Sequence, residues 1–265
     1  MKNIIKFKIL DWWEEDTEEN FYNNEIIKLL RKNLENKYDI TYSNQPDFLL
    51  YSCFGDSHLD YPNSCVRIFY SGENIHTDWN IADYGIDFDL MDYGERHLCY
   101  PLFYFFKEDF LKALNKHLNI NNDKRTRFCS FLVSNGQNAD SIRDNIFDKI
   151  CSYKKVDSGG SYKNNIGGPI PNRYGDFSTT KRMWMEHYKF NICFENSTNK
   201  GYVTEKIIQS FAAGCIPIYW GDYSITDESY AKYRMTFNPK AFINVHSFKD
   251  LEEVVEEVKK LIMTF

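Results

Sequence analysis

Residues 194–206 read Phe-Glu-Asn-Ser-Thr-Asn-Lys-Gly-Tyr-Val-Thr-Glu-Lys. An apolar run precedes them. Ile207-Ile208-Gln209-Ser210-Phe211-Ala212-Ala213 follows and stops at Gly214. The stretch reads as a strand end, a polar turn and a helix N-terminus. α/β proteins place phosphates there, because the first helical N–H groups are unpaired and the helix dipole favours anions. Tyr202, Glu205 and Lys206 are spaced by three and four residues, which puts them on one helical face. Ile207, Ile208 and Phe211 point elsewhere and are suited to burial. A lysine in the first turn opposes the dipole, so an external anion such as a phosphate is expected to offset it. Glu205 is suited to accept hydrogen bonds from sugar hydroxyls, and Asn196 offers both a donor and an acceptor. A solvated helix start capped by Ser, Thr or Asn uses many of the same letters. These residues alone therefore leave a binding site and a plain surface both open.

Composition narrows the field. The chain has 265 residues, 43% of them hydrophobic and 26% charged, which is the profile of a globular protein with room for two small domains or one large one. A net charge of −6 argues against a nucleic-acid partner but allows a local cationic pocket. The seven cysteines contain no CxxC pair, so zinc-finger spacing is absent. Buried, reduced thiols in a cytosolic protein are the expected reading. The apolar stretch 4–10 is broken by Lys6 and Lys8 and is too short to span a bilayer.

Elements alternate along the chain. Strands are expected near 6–10, 38–42, 48–52 and 66–70, with helices over 21–36 and 103–118. The polar run 119–127 reads as a linker. Beyond it, strands are expected at 128–133, 188–194, 215–219 and near Phe242. Helices are expected at 140–151, 177–187, from Val203 and from Asp250, with a Gly/Ser/Asn/Pro loop over 158–172. The alternation implies an α/β protein with parallel sheets and ligands at the strand C-termini. Pro217 inside a strand run requires a bulge or an N–H side that needs no partner.

The quoted stretch also resembles a known family. Phe194-Glu195-Asn196-Ser197 with Gly201-Tyr202-Val203-Thr204-Glu205-Lys206-Ile207 is similar to the donor-site motif of the α1,3/4-fucosyltransferases. The likeness continues through Ala213-Gly214-Cys215-Ile216-Pro217-Ile218-Tyr219-Trp220-Gly221 and resumes at residues 237–245. Upstream, Arg67-Ile68-Phe69-Tyr70-Ser71-Gly72-Glu73-Asn74 resembles the acceptor-side motif, and Asp11-Trp12-Trp13 also fits.

The resemblance implies two Rossmann-like domains facing a cleft, the GT-B architecture. The expected domains are 1–122 for the acceptor and 123–265 for GDP-fucose. It further implies an inverting α1,3 transfer of L-fucose to O3 of N-acetylglucosamine, with Glu73 as general base. Lys206, Glu205, Tyr202 and Asn196 would hold the donor. The family's loop arginine is replaced here by Lys163, with Arg173 and Arg182 as alternatives. No metal motif stands in a fitting place, since Asp87-Phe88-Asp89 lies in the acceptor half, so a reaction without a metal or other cofactor is implied. N-acetyllactosamine-type or lipopolysaccharide glycans would accept the sugar. A cytoplasmic or peripheral inner-membrane protein, of bacterial or viral type, is expected. Bacterial members usually continue past the position of Phe265 with heptad repeats and a basic tail, so a C-terminus incomplete relative to them is expected. A transferase for another nucleotide sugar and an inactive sugar-nucleotide binding module are the competing readings.

Overall fold

The computed structural model describes residues 2–115, 124–137, 139–171 and 177–264. The chain divides into two compact units, Met1–Tyr100 and Pro101–Phe265. In the first unit, β1 (Asn3–Leu10), β2 (Tyr38–Tyr42), β3 (Phe48–Tyr51), β4 (Val66–Tyr70), β5 (Tyr84–Asp87) and β6 (His97–Cys99) form one sheet. All its pairings are parallel, in the order β2-β1-β3-β4-β5-β6. The single helix expected over 21–36 is two helices, α1 (Glu18–Asn23) and α2 (Glu25–Leu34). Asn24 makes the break. Its backbone is extended, and its side chain accepts from the N–H groups of Ile26 and Ile27. A capping Asn competes better as the start of a helix than as its interior.

Because the strands run parallel, the segments after β1, β3, β4 and β5 share one edge of the sheet. The chain leaves β1 to one side for β2 and returns to the other side for β3. That reversal makes the C-terminal end of β1 a switch point, where α/β sheets open a crevice.

In the second unit, β7 (Arg127–Phe131), β8 (Val156–Ser158), β9 (Tyr188–Ile192), β10 (Ile216–Tyr219) and β11 (Ile243–Asn244) pair in parallel, in the order β11-β10-β9-β7-β8. Among the described residues this unit has five α-helices: α3 (Lys107–Leu114), α4 (Ile142–Tyr153), α5 (Phe177–Met185), α6 (Glu205–Ala213) and α7 (Leu251–Ile262). Ile146 and Ile150 of α4 and Val254 and Val258 of α7 pack with Phe131, Phe190 and Ile192 in one core cluster. A second cluster joins Ile207 and Ile208 of α6 to Phe103, Tyr219 and Phe237. Each such fully buried side chain contributes roughly 1.5–3 kcal/mol.

Phe103 explains why the division falls at Tyr100/Pro101 and not at the expected 122/123. It is completely buried in the second unit's cluster, α3 packs on α6, and Asp109 of α3 pairs with Arg182 of α5. The expected boundary itself lies among residues 116–123, outside the described residues.

Gly214 ends α6 in the left-handed conformation, at φ 84°, as a helix C-terminus prefers. Pro217 costs the sheet nothing. The Ile218 carbonyl accepts from Cys193, so Ile218 faces β9 and Pro217 faces β11, whose pairing begins only at Ile218. No helix among the described residues is long and apolar enough to cross a membrane.

The letters Asp87-Phe88-Asp89 serve the fold. Asp87 is fully buried. It accepts from Thr77 Oγ1, from the Asp89 N–H at 2.8 Å and from His97 Nε2 at 2.8 Å. Burial pushes its pKa up, but the bonds from His97 and Thr77 outweigh that and hold the carboxyl below its usual range. Burial pushes His97 down, but Asp87 and Asp89 outweigh it and the imidazole is raised. The histidine's contribution is complete below its unfolded pKa of about 6.5 and fades as pH rises through the higher folded value. The aspartate's is complete above about pH 3.9 and fades as pH falls through the lower folded value. Stability lost in His97→Gln should therefore be greatest between about pH 4 and 6.5 and shrink on either side. Thermal unfolding of both proteins across pH 3–9 checks this; a pH-independent difference would contradict the pairing.

Candidate active site

In the second unit, β9 runs into Cys193, Phe194 and Glu195, and α6 starts ten residues after Glu195. The Glu195 carboxylate is fully buried at the front of α6. Its Oε1 accepts from the Thr204 N–H at 2.8 Å, and its Oε2 accepts from Thr204 Oγ1 at 2.7 Å and Lys206 Nζ at 2.6 Å. Thr204 stands at the N-cap but makes no side-chain cap of its own; Glu195 fills that role from a distant strand. A Cβ at Gly221 would stand 2.5 Å from the Glu195 Cγ, so glycine makes room for the acid. The expected external anion has an internal counterpart: Glu195 already offsets the lysine that opposes the helix dipole.

Glu205 and Lys206 are adjacent, and each is matched by an opposite charge. Lys181 of α5 lies with its Nζ 3.5 Å from Glu205 and donates to Gln209 at 3.0 Å. Burial pushes the Glu205 pKa up, but Lys181 and Lys206 outweigh it and keep the carboxyl below the usual range. Asn196, just past β9, accepts from Arg143 Nη1 at 3.1 Å. Arg143 is 2% exposed, donates through Nη2 to the Asn135 carbonyl at 2.8 Å, and makes no ion pair among the described residues. Its Nε has no hydrogen-bond partner. Burial lowers its pKa, with Asp144 and Tyr162 opposing. Lys206, Lys181, Gln209, Val133 and Cys193 line a cleft of about 30 Å³ at the ends of β7 and β9.

In the first unit, Glu73 follows β4 in a tight turn. Ser71 Oγ accepts from the Glu73 N–H at 3.0 Å, and the Glu73 carbonyl accepts from Ile75 at 2.8 Å. The Glu73 side chain is partly exposed. Burial, with Tyr100 and Glu73 adding to it, pushes the Tyr70 phenol well up. Trp12 stacks on Tyr70 with ring centroids 5.2 Å apart, and Trp13 meets Phe54 at 5.0 Å. Trp13 and Phe54 are exposed. Asp11 anchors this edge from a left-handed backbone position, φ 54°. It accepts from the backbone N–H groups of Ser57 and His58, and the His58 ring lies 2.7 Å away.

Comparison with known proteins gives each unit a match of its own. Residues 10–106 match the alpha-(1,3)-fucosyltransferase FucT N-terminal domain, and residues 122–264 match the glycosyltransferase family 10 (fucosyltransferase) C-terminal region. The chain belongs to glycosyltransferase family 10, the fucosyltransferases. It is 32% identical to the alpha-(1,3)-fucosyltransferase FucT of Helicobacter pylori, over 97% of this chain and 57% of that protein. It thus spans little more than half the length of that relative. A Homo sapiens 3-galactosyl-N-acetylglucosaminide 4-alpha-L-fucosyltransferase is 31% identical over 54% of this chain and 36% of its own. A solved alpha1,3-fucosyltransferase with GDP-fucose superposes with a TM-score of 0.74 at 32% identity, covering 98% of this chain and 79% of the other. The fold is that of GT-B glycosyltransferases, with two Rossmann-like units.

Within this family member, Asn196 lies just past β9 and Glu205 and Lys206 open α6, with Lys206 lining the cleft at the ends of β7 and β9. Two expected residues stand otherwise. Tyr202 precedes α6 and so does not share its face with Glu205 and Lys206; it is 2% exposed. Lys163 turns to α4, with Nζ 2.7 Å from Asp148 and 3.9 Å from Asp144. Its loop is pinned by Gly160, where a Cβ would stand 1.7 Å from the Val133 carbonyl oxygen. Of the alternatives, Arg182 pairs with Asp109 and with Glu108 at 3.2 Å, and Arg173 lies outside the described residues. Sequence reading missed Lys181 and Arg143. Their signal is slight: one basic residue each, inside helices that read as ordinary surface elements.

Glu195→Ala should destabilise the second unit by about 3 kcal/mol, the usual scale for removing one partner of a buried pair. Denaturant unfolding followed by circular dichroism checks it. A loss below about 0.5 kcal/mol would be the surface-substitution scale and would contradict the capping role.

Proposed function

We propose that this chain is an inverting α1,3-fucosyltransferase that moves L-fucose from GDP-fucose to O3 of N-acetylglucosamine in a glycan. Membership of the fucosyltransferase family carries the reading. It is supported by a carboxylate at a strand C-terminus in the first unit and cations at a helix N-terminus in the second.

In this reading the Glu73 carboxylate takes the proton of the acceptor hydroxyl as its oxygen attacks C1 of fucose. The new C1–O bond forms on the face opposite the bond to GDP, and that bond breaks with its electron pair leaving on the diphosphate. The transition state carries positive charge on the sugar ring, as in inverting glycoside chemistry. Lys206 and the N–H groups at the start of α6 meet the negative charge growing on GDP. Glu205, kept ionised by Lys181 and Lys206, faces the opposite need: hydrogen bonds to fucose hydroxyls and stabilisation of the cationic ring. Asn196 contacts the nucleotide, oriented by Arg143. These cations take the place of a metal ion. N-acetyllactosamine-type or lipopolysaccharide glycans are the proposed acceptors. The cytoplasm, with contact at the inner membrane face, is the proposed site of action; the free thiols of all seven cysteines suit a reducing compartment.

GDP release from GDP-fucose, with and without N-acetyllactosamine, tests the reading. Acceptor-dependent release is expected, and no release with any glycan would overturn it. Glu73→Gln should lower turnover at least about 100-fold while GDP affinity changes little. The split between kcat and GDP binding, read by calorimetry, is the check; retained turnover would remove Glu73 from the role of base.

Lys206→Ala should weaken GDP binding about tenfold or more, the scale of one charge-assisted phosphate contact. The measurement belongs at a temperature where circular dichroism shows the variant folded. An unchanged dissociation constant would contradict the phosphate contact.

A further inference from the structure

A cavity of about 890 Å³ opens in the first unit beside the C-terminal end of β1. Its size falls in the range of small-ligand sites, about 300–1,000 Å³. It sits at the switch point of the sheet, where α/β folds take ligands. Trp12 belongs both to its wall and to the stack on Tyr70, the residue three before Glu73. The cavity is therefore joined to the proposed base through two rings.

The wall is built for hydroxyl-rich molecules. It combines the Trp12 indole with the planar polar groups of Asn44, Asp16, Glu14 and Asp60. An indole packs against the C–H face of a pyranose, while amides and carboxylates bond to its hydroxyls. Lys8 enters from the middle of β1, almost fully buried. Its Nζ donates to Asn44 at 2.6 Å and Tyr42 at 3.1 Å, and pairs with Asp16 at 2.7 Å. These bonds hold Asn44 and Asp16 in fixed orientations, which is what discrimination among hydroxyl patterns requires.

The charges on this wall do not cancel. Lys8 is matched by Asp16, and Asp11 is bonded to His58. Glu14 and Asp60 are exposed and make no ion pair among the described residues. The cavity thus carries surplus negative charge, which repels a carboxylate, sulfate or phosphate on the ligand.

We propose that this cavity holds the sugars of the acceptor beyond the one that is fucosylated, and that it selects a neutral oligosaccharide over an anionic one. The assignment rests on the transferase reading, but its test separates the two. The probes are a neutral N-acetyllactosamine-type tetrasaccharide and the same glycan carrying one terminal sialic acid. Binding to the whole chain is followed by tryptophan fluorescence, and fucose transfer is measured with the same pair.

The neutral glycan should bind at least about tenfold tighter, the scale of two uncompensated like charges in a half-screened site. Glu14→Gln combined with Asp60→Asn should bring the two affinities within about threefold, by gaining affinity for the sialylated glycan. Trp12→Leu should weaken the neutral glycan about fivefold or more, the scale of one lost aromatic contact. Equal wild-type affinities, an unchanged ratio in the double variant, or no fluorescence response to either glycan each overturns the assignment. Selective binding without fucose transfer upholds the cavity and overturns the transferase reading. Transfer indifferent to the carboxylate does the reverse.

Discussion

A single buried carboxylate, that of Glu195, organises the second unit's site. Taking an ionised acid out of water costs several kcal/mol unless hydrogen bonds and a counter-charge replace the lost hydration. Glu195 finds three such partners: the N–H and hydroxyl of Thr204 and the ammonium of Lys206. Each bond fixes something the site needs. The bonds to Thr204 set where α6 begins, and the bond to Lys206 sets where its charge stands. Gly221 keeps the space clear on the other side. The strand end, the loop and the helix start are thus one electrostatic unit.

The first unit uses the same device with different atoms. Asp11, at the end of β1, accepts from two backbone N–H groups and lies against the His58 ring. Burial pushes its carboxyl up, but those bonds outweigh it and hold it below the usual range. The 57–60 turn is thereby tied to the end of β1, beside Trp12 and Trp13. In both units an acid just past a strand anchors a loop at the sheet's C-terminal edge: Asp11 the turn that follows β3, Glu195 the far end of the loop that follows its own strand. Parallel sheets need such anchors, because their C-terminal loops carry the site yet have no ladder of their own to hold them.

What the sequence made legible was local. The run from 188 to 214 carries its own strand, turn, helix and Gly214 cap, and the structure has each of them. The conflict of Lys206 with the helix dipole was legible too, but its resolution was not. Glu195 lies eleven residues upstream at a strand end, and only the turn brings it to Lys206. The boundary at Tyr100 was hidden for the same reason. Phe103 and Asp109 have partners more than seventy residues later, and no periodicity within 101–114 reveals them. Lys163 illustrates the converse. The resemblance gives it the place of the family's loop arginine, while Asp144 and Asp148, one turn apart on α4, claim its ammonium. Asn24 caps α2 from inside a longer apolar pattern, and the helical spacing of Ile26, Ile27, Leu29 and Leu30 masks the break.

The balance of charge at α6 bears on how the proposed reaction would hold its diphosphate there. Lys206, Lys181 and Arg143 supply three positive charges, and Glu195 and Glu205 supply two negative ones. A nearly neutral site attracts a diphosphate weakly through net charge alone. Its discrimination has to come from orientation: fixed N–H groups, a lysine held in place by Glu195, and a guanidinium held against Asn196. Fixed dipoles of this kind cost no reorganisation as charge moves from the sugar to the leaving group. The neighbouring Glu205 then has a use that a purely cationic pocket lacks. In the proposed reaction the fucose ring becomes positive while GDP becomes more negative, so a site presenting both signs in sequence, Glu205 beside Lys206, favours the separated state over the neutral one. A pocket built only to hold GDP-fucose has no need of that pairing.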